Sequence, residues 1–281
     1  MRTIGVLLAA LAITASAAAT PGYRIDESYP TPSGYTPGTT KVLAANGTCS
    51  GFGGTGFSVR LYDEVRENLW VCSHGLLEWG ASGGFSAKTC ALPTNVSLDP
   101  TLMPYWTTLM THSIVGSNYG VFTKTEGAAP NRRFIVEWRQ FRTSDNANRN
   151  FEVILYENSP ILTVIYSGFV GGTDAAVGVQ ASPTGQATTW SKCGATAITS
   201  GLRLDFVPDP LLTLRPQITG QPAAGVPSNG NRGTWEGTEP MAFVYQWRRC
   251  DPVVTTSCVN IQGANELTYT PSSVEVNQRL R

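Results

Sequence analysis

Six cysteines, two histidines and three glutamates on neighbouring apolar runs are the residues whose types and spacing could carry chemistry. Cys250 and Cys258 lie close together and are expected to pair locally. Cys49, Cys72, Cys90 and Cys193 permit three connectivities, of which Cys72 with Cys90 and Cys49 with Cys193 is preferred, the second tying together the two ends of one domain. A zinc site would need C-x-x-C or paired-histidine spacing, and neither is present. A serine hydrolase would need a nucleophile, a base and an orienting acid. His74 and His112 are the only histidines, and no G-x-S-x-G elbow exists for either to serve. A glycosidase would need two facing carboxylates. Glu137, Glu152 and Glu157 could approach one another, but on the solvent face of a sheet such groups pair with basic neighbours, as Arg139 with Glu152 would. No catalytic residue, metal ligand or cofactor is therefore expected.

Two further patterns resemble ligand sites and fail on context. Gly51-Phe52-Gly53-Gly54-Thr55-Gly56 matches G-x-G-x-x-G, yet a dinucleotide site needs a helix after the glycines to hold the pyrophosphate. Phe57-Ser58-Val59-Arg60-Leu61-Tyr62 alternates like a strand instead. Asn146-x-Asn148-x-Asn150 with Glu157 mimics part of a calcium loop, but it lacks the turn glycine and its second half reads as a strand.

The elements that would position these residues centre on Asn131 to Gln180. In the run through Phe134, Val136 and Trp138 the large apolar side chains alternate with Glu137 and Arg139, the period of a strand with one buried face. The runs FEVILYE and ILTVIYS follow, separated only by turn residues, and AAVGVQ comes after a glycine-rich turn. These predict a meander of antiparallel strands with buried middle members. Earlier, Leu69 to Trp79 reads as two short strands joined at His74-Gly75, where Gly75 takes a positive φ without cost.

Bulk properties agree with an exported all-β protein. The 281 residues suffice for one large or two smaller domains. Lys plus Arg equals Asp plus Glu, so no net field drives a search for nucleic acid or anionic membrane. Arg132-Arg133 and Arg248-Arg249 are isolated pairs rather than a basic face. Charged residues are 14% of the chain against a usual share of about 25%. Residues 1–19 read as a signal peptide, with Arg2, the apolar run Ile4 to Ile13 and Ala17-Ala18-Ala19 before the cleavage point. No later run is long enough to span a bilayer. Residues 20–44, with Pro21, Pro30, Pro32 and Pro37, read as a tether or lead-in. Asn46-Gly47-Thr48 and Asn95-Val96-Ser97 are glycosylation sequons by pattern.

The ordered series Trp70-Val71 to Trp79, Leu92-Pro93, Pro104-Tyr105-Trp106, Gly120-Val121-Phe122, Asn131 to Trp138, Phe151 to Glu157 and Ala176 to Gln180 is similar to the extracellular nidogen-like β domain. The resemblance spans 45–208 and implies a β-sandwich-like adhesion or matrix module, of a kind that also accompanies secreted hydrolases. Two departures matter. His74-Gly75 stands where many relatives have Asn-Gly, and Thr107-Thr108 stands where they carry an acidic pair, so any cation which that pair serves in relatives has lost those ligands here.

After a linker at 209–215, residues 216–281 resemble a bacterial immunoglobulin-like repeat. The resemblance rests on Gly233-Thr234-Trp235, Tyr245-Gln246-Trp247-Arg248-Arg249-Cys250, Ile261-Gln262-Gly263-Ala264 and Tyr269-Thr270. Phe243, Tyr245 and Trp247 are expected on one strand face. The 66 residues from Pro216 to Arg281 fall short of the roughly 100 of a full sandwich, so the repeat is expected to be incomplete. The functional expectation is a secreted or surface-held non-catalytic module that binds a glycan, a cell-wall polymer or a protein. The alternative is an accessory region of a larger secreted hydrolase.

Overall fold

The computed structural model describes residues 22–30, 34–52, 54–62, 64–80, 88–94, 100–110, 118–142 (backbone only at 141 and 142), 147–168, 174–194, 196–221, 223–237, 241–254 and 256–281. The expected signal peptide, His112, the sequon at Asn95, and Gly53 and Asn146 of the two rejected motifs lie outside these residues. Among the described residues the chain is all-β, and no helix is long and apolar enough to cross a membrane.

Sixteen strands build the first unit: β1 Tyr23–Ser28, β2 Thr40–Leu43, β3 Cys49–Phe52, β4 Val59–Leu61, β5 Glu64–Arg66, β6 Leu69–Cys72, β7 Leu76–Trp79, β8 Thr101–Trp106, β9 Leu109–Met110, β10 Gly120–Glu126, β11 Arg133–Arg142, β12 Asn148–Tyr156, β13 Ser159–Ser167, β14 Ala176–Gln180, β15 Ala187–Ser191 and β16 Arg203–Pro208. One sheet runs β1-β16-β13-β12-β11-β10-β2, with β9 also on β11; the other runs β15-β14-β8-β7-β6-β3. All of their pairings are antiparallel.

The expected meander exists in β11, β12 and β13, the centre of the first sheet. The fourth run does not extend it. Residues Ala176–Gln180 pass to the second sheet, between β8 and β15, where all five are buried. A continuous apolar run announces a strand buried on both faces but not the sheet it joins.

The main core lies between the sheets. Phe134, Val136, Trp138, Phe151 and Val153 from the first meet Leu69, Val71, Leu77, Trp79 and Tyr105 from the second. Trp138 stacks on Phe151 at 5.0 Å between ring centroids, and its indole N–H donates to the Cys72 carbonyl at 2.9 Å. Each sheet also buries an outer layer. Cys72, Leu76, Met103, Trp106 and Ala176 form one, backed by Leu92, and Ile135, Ile154 and Ile165 form the other, backed by Tyr35 and Tyr156.

The second outer layer corrects the expectation for residues 20–44. Residues 22–30 and 34–44 are part of the fold: β1 pairs with β16 from Tyr23↔Pro208 to Ser28↔Arg203, and β2 pairs with β10. Between them the segment 34–39 crosses the face that alternation alone assigned to solvent. Proline, glycine and threonine exclude a helix, but they do not exclude edge strands.

The remaining residues form β17 Leu211–Leu214, β18 Ile218–Thr219, β19 Ser228–Gly230, β20 Thr234–Glu236, β21 Arg248–Cys250, β22 Cys258–Asn260, β23 Thr268–Tyr269 and β24 Arg279–Leu280. Because β17 pairs with β20, most of the expected linker 209–215 belongs to this unit. Trp247 is its largest buried side chain, packed on Tyr269 at 5.7 Å and donating to the Glu266 carbonyl at 2.7 Å. Phe243 and Tyr245 are half-buried and Trp247 buried, while Ala242, Val244 and Gln246 are exposed. The predicted alternation holds, yet residues 241–247 join no ladder among the described residues.

Candidate functional site

All six cysteines are in disulfides. Cys250–Cys258 is the expected local bridge. The other two bonds are Cys49–Cys72 and Cys90–Cys193, which overturns the preferred pairing of Cys72 with Cys90 and Cys49 with Cys193. The reason is register. β3 and β6 lie side by side with Cys49 directly opposite Cys72, their Cα atoms 4.0 Å apart. Proximity of this kind depends on strand order, which spacing along the chain does not reveal.

The turn at His74-Gly75 is present and buried. Gly75 has φ of +78°, and its amide donates to the Cys72 carbonyl at 3.2 Å. A Cβ there would lie 2.1 Å from the Tyr105 carbonyl oxygen. His74 is 6% exposed, with Nδ1 3.1 Å from Ser73 Oγ, and burial lowers its pKa to about 4. It is held as a neutral imidazole. Gly51 lies in β3, and Gly54 and Gly56 lead from it towards β4, with no helix behind them among the described residues.

The glutamates expected on a solvent face are instead covered. Glu137 and Glu152 face each other across β11 and β12 and are 2% and 0% exposed. Tyr35 donates its hydroxyl to Glu137 Oε1 at 2.5 Å, and the Gly38 amide donates to Oε2 at 2.6 Å. Arg139 forks the same carboxylate at 2.9 and 2.7 Å while its guanidinium lies 3.9 Å over the Phe122 ring. The predicted Arg139–Glu152 pair does not form: Arg139 stands opposite Asn150 and binds the glutamate on its own strand.

Glu152 accepts the Thr36 amide at 3.1 and 3.0 Å. Burial pushes its carboxyl up to about 8, the Thr36 amide opposes this, and the Glu137 charge adds to it. At neutral pH Glu152 is therefore largely a neutral acid. Chemically, this pair pins the segment 34–38 on the sheet.

Glu157 lies apart from this pair and is forked by Arg132 at 2.9 and 2.6 Å. Arg133 pairs with Glu126, Arg249 lies 3.8 Å from Glu275, and Arg248 donates to the Cys258 carbonyl at 3.3 Å. The arginine pairs are thus tied into local structure. Asn148 accepts the Tyr119 hydroxyl at 2.9 Å, and both Asn148 and Asn150 lie in β12, so this part of the calcium-loop spacing is a strand.

A feature that motif reading missed is a cleft of about 480 Å³ where the two units meet. The β4–β5 hairpin, the β12–β13 turn and β20 form its walls, and Tyr62, Asn158 and Trp235 line it. Arg60 reaches across to Glu236 at 2.9 Å. Tyr62 holds φ of +57°, rare for a bulky residue. Its amide donates to the Tyr23 hydroxyl at 3.0 Å, and its hydroxyl donates to the Gln186 carbonyl at 3.2 Å. No sequence signal points to this cleft, because its walls are separated by up to most of the chain. A second cavity of about 480 Å³ lies within the C-terminal unit, beside Ile218, Val244, Trp247 and Leu280.

No curated protein and no solved structure matches the chain. One family model, described as NIDO related, matches residues 23–204. The match begins at β1 and ends within β16, the two strands that close one edge of the first sheet, and it includes the covering segment and both buried glutamates. On this match over well more than half of its length, the chain belongs to the NIDO-related family.

Proposed function

We propose that the chain is an exported, non-catalytic binding module whose partner is an extracellular glycan, a cell-wall polymer or a protein. The nidogen-related match, the three disulfides and the all-β architecture support an extracellular binding role. The observation that carries the non-catalytic part is the state of Glu137 and Glu152. Their oxygens are engaged by Tyr35, Thr36, Gly38 and Arg139, so the best-placed acid pair of the first unit serves to hold structure. Export rests on the signal-peptide pattern of residues 1–19. The reading of residues 216–281 as an immunoglobulin-like repeat rests on their motifs and on the alternation through Phe243, Tyr245 and Trp247.

The test is co-sedimentation of the purified chain with insoluble cell-wall and matrix preparations, alongside assays for released sugar and peptide. Saturable retention without release supports the proposal. Turnover that disappears in Glu137→Gln would overturn it.

A further inference from the structure

We propose that the cleft between the two units binds a neutral oligosaccharide, with Trp235 as its stacking platform and Asn158, Arg60 and Glu236 as hydroxyl partners. This rests on the reading of the chain as an extracellular binding module and names the ligand class and the place.

The cleft has the composition that such a ligand needs. A pyranose is amphipathic, with C–H faces that pack on aromatic rings and hydroxyl edges that both donate and accept hydrogen bonds. Trp235 supplies an aromatic surface fixed from behind: its indole N–H donates to the Arg232 carbonyl at 2.6 Å and its ring packs against Phe243 at 6.1 Å. On the opposite wall, Asn158 is exposed and oriented by donation to Asn131 Oδ1 at 2.6 Å. Its amide therefore stands pre-positioned on a tight turn, which lowers the ordering cost of binding.

Charge balance selects a neutral ligand. Arg60 is matched by Glu236 and Glu157 by Arg132, and Asp209, in the field of Arg24, adds a further acidic group to the lining. That arrangement offers nothing to attract a polyanion. Tyr62 adds an independent pointer. Its left-handed backbone is costly for a bulky residue, and such strain gathers where function over-determines the geometry. A cleft at a domain junction with few oriented polar groups is also the usual setting of a ligand site.

The experiment is calorimetric titration of the full chain with neutral hexasaccharides of glucose and of N-acetylglucosamine, and with polygalacturonate as the anionic comparison. Two variants accompany it: Trp235→Ala, and Val65→Trp, which plugs the cleft from a position 60% exposed on its rim. The expected result is saturable binding of a neutral hexasaccharide, weakened tenfold or more in both variants, with no binding of polygalacturonate. Neutral-sugar binding unchanged in Val65→Trp and Trp235→Ala would overturn the assignment. So would retention on wall or matrix material without binding of either hexasaccharide, an outcome that leaves the broader binding role standing. No retention on any extracellular material would remove both.

Discussion

Tyr35 donates its hydroxyl to Glu137 across 102 residues of chain, at 2.5 Å, and so fastens the segment ahead of β2 to the centre of the first sheet. The same segment gives Glu152 the Thr36 amide as a hydrogen-bond donor. The two glutamates and the segment above them therefore stabilise one another.

Glu152 should make stability fall as the solution becomes alkaline. Its carboxyl is raised to about 8 in the folded chain, chiefly by burial. A raised pKa stabilises fully below the unfolded value, roughly 4.5, and that contribution is lost as pH rises through about 8. Glu137, Arg139, Tyr35, Glu126 and Arg133 are the charged or titratable groups that surround it. His74 has the opposite sign: its pKa is lowered to about 4, so its contribution is present above about 6.5 and lost on acidification. The clean window is therefore pH 7 to 9. Thermal unfolding should show the native midpoint falling across it, and Glu152→Gln should flatten that slope and unfold about 2–4 °C higher than the native chain at pH 9.

Tyr35→Phe should cost about 1.5–3 kcal/mol, the range for a hydrogen bond to a charged group. Denaturant unfolding measures the loss, and limited proteolysis should show new cleavage within residues 34–39. An unchanged cleavage pattern would mean that the segment is held by something other than this bond.

Gly75→Ala should be among the most damaging single changes in the chain. Its φ is +78° and its Cβ would meet the Tyr105 carbonyl at 2.1 Å, so backbone must move. The expected loss is about 2–4 kcal/mol by denaturant unfolding, whereas Gly194→Ala, also at positive φ but with open space around it, should cost about 1 kcal/mol.

The disulfides should differ in weight. Cys90–Cys193 spans 103 residues and Cys250–Cys258 spans 8, and loop-closure entropy grows with span. Replacing Cys90 and Cys193 by serine should cost about 2–5 kcal/mol, and replacing Cys250 and Cys258 clearly less. Peptide mapping of the native chain should recover Cys49 linked to Cys72.

What was legible in the sequence is what local periodicity encodes. Phe134, Val136 and Trp138 identify a buried face, and Leu69 to Trp79 identify a hairpin with a glycine in its turn. What was illegible depends on contacts between distant segments. Glu137 and Glu152 read as surface residues because alternation shows that two faces differ, but not that a segment 99 to 116 residues away lies over one of them. The pairing of Cys49 with Cys72 needed the order of strands in the second sheet. The cleft beside Trp235 joins residues from both units, so no window of sequence contains it.

On the proposed function, Glu137 and Glu152 hold the fold of a binding module rather than catalyse a reaction. The most direct measurement applies the native chain, Glu137→Gln and Glu152→Gln to wall and matrix polysaccharides, recording retained protein and released reducing ends together. The expected result is retention by the native chain and by Glu152→Gln with no sugar released by any of the three. Release of reducing ends by the native chain that is lost in both variants, while each remains folded and bound, would contradict it.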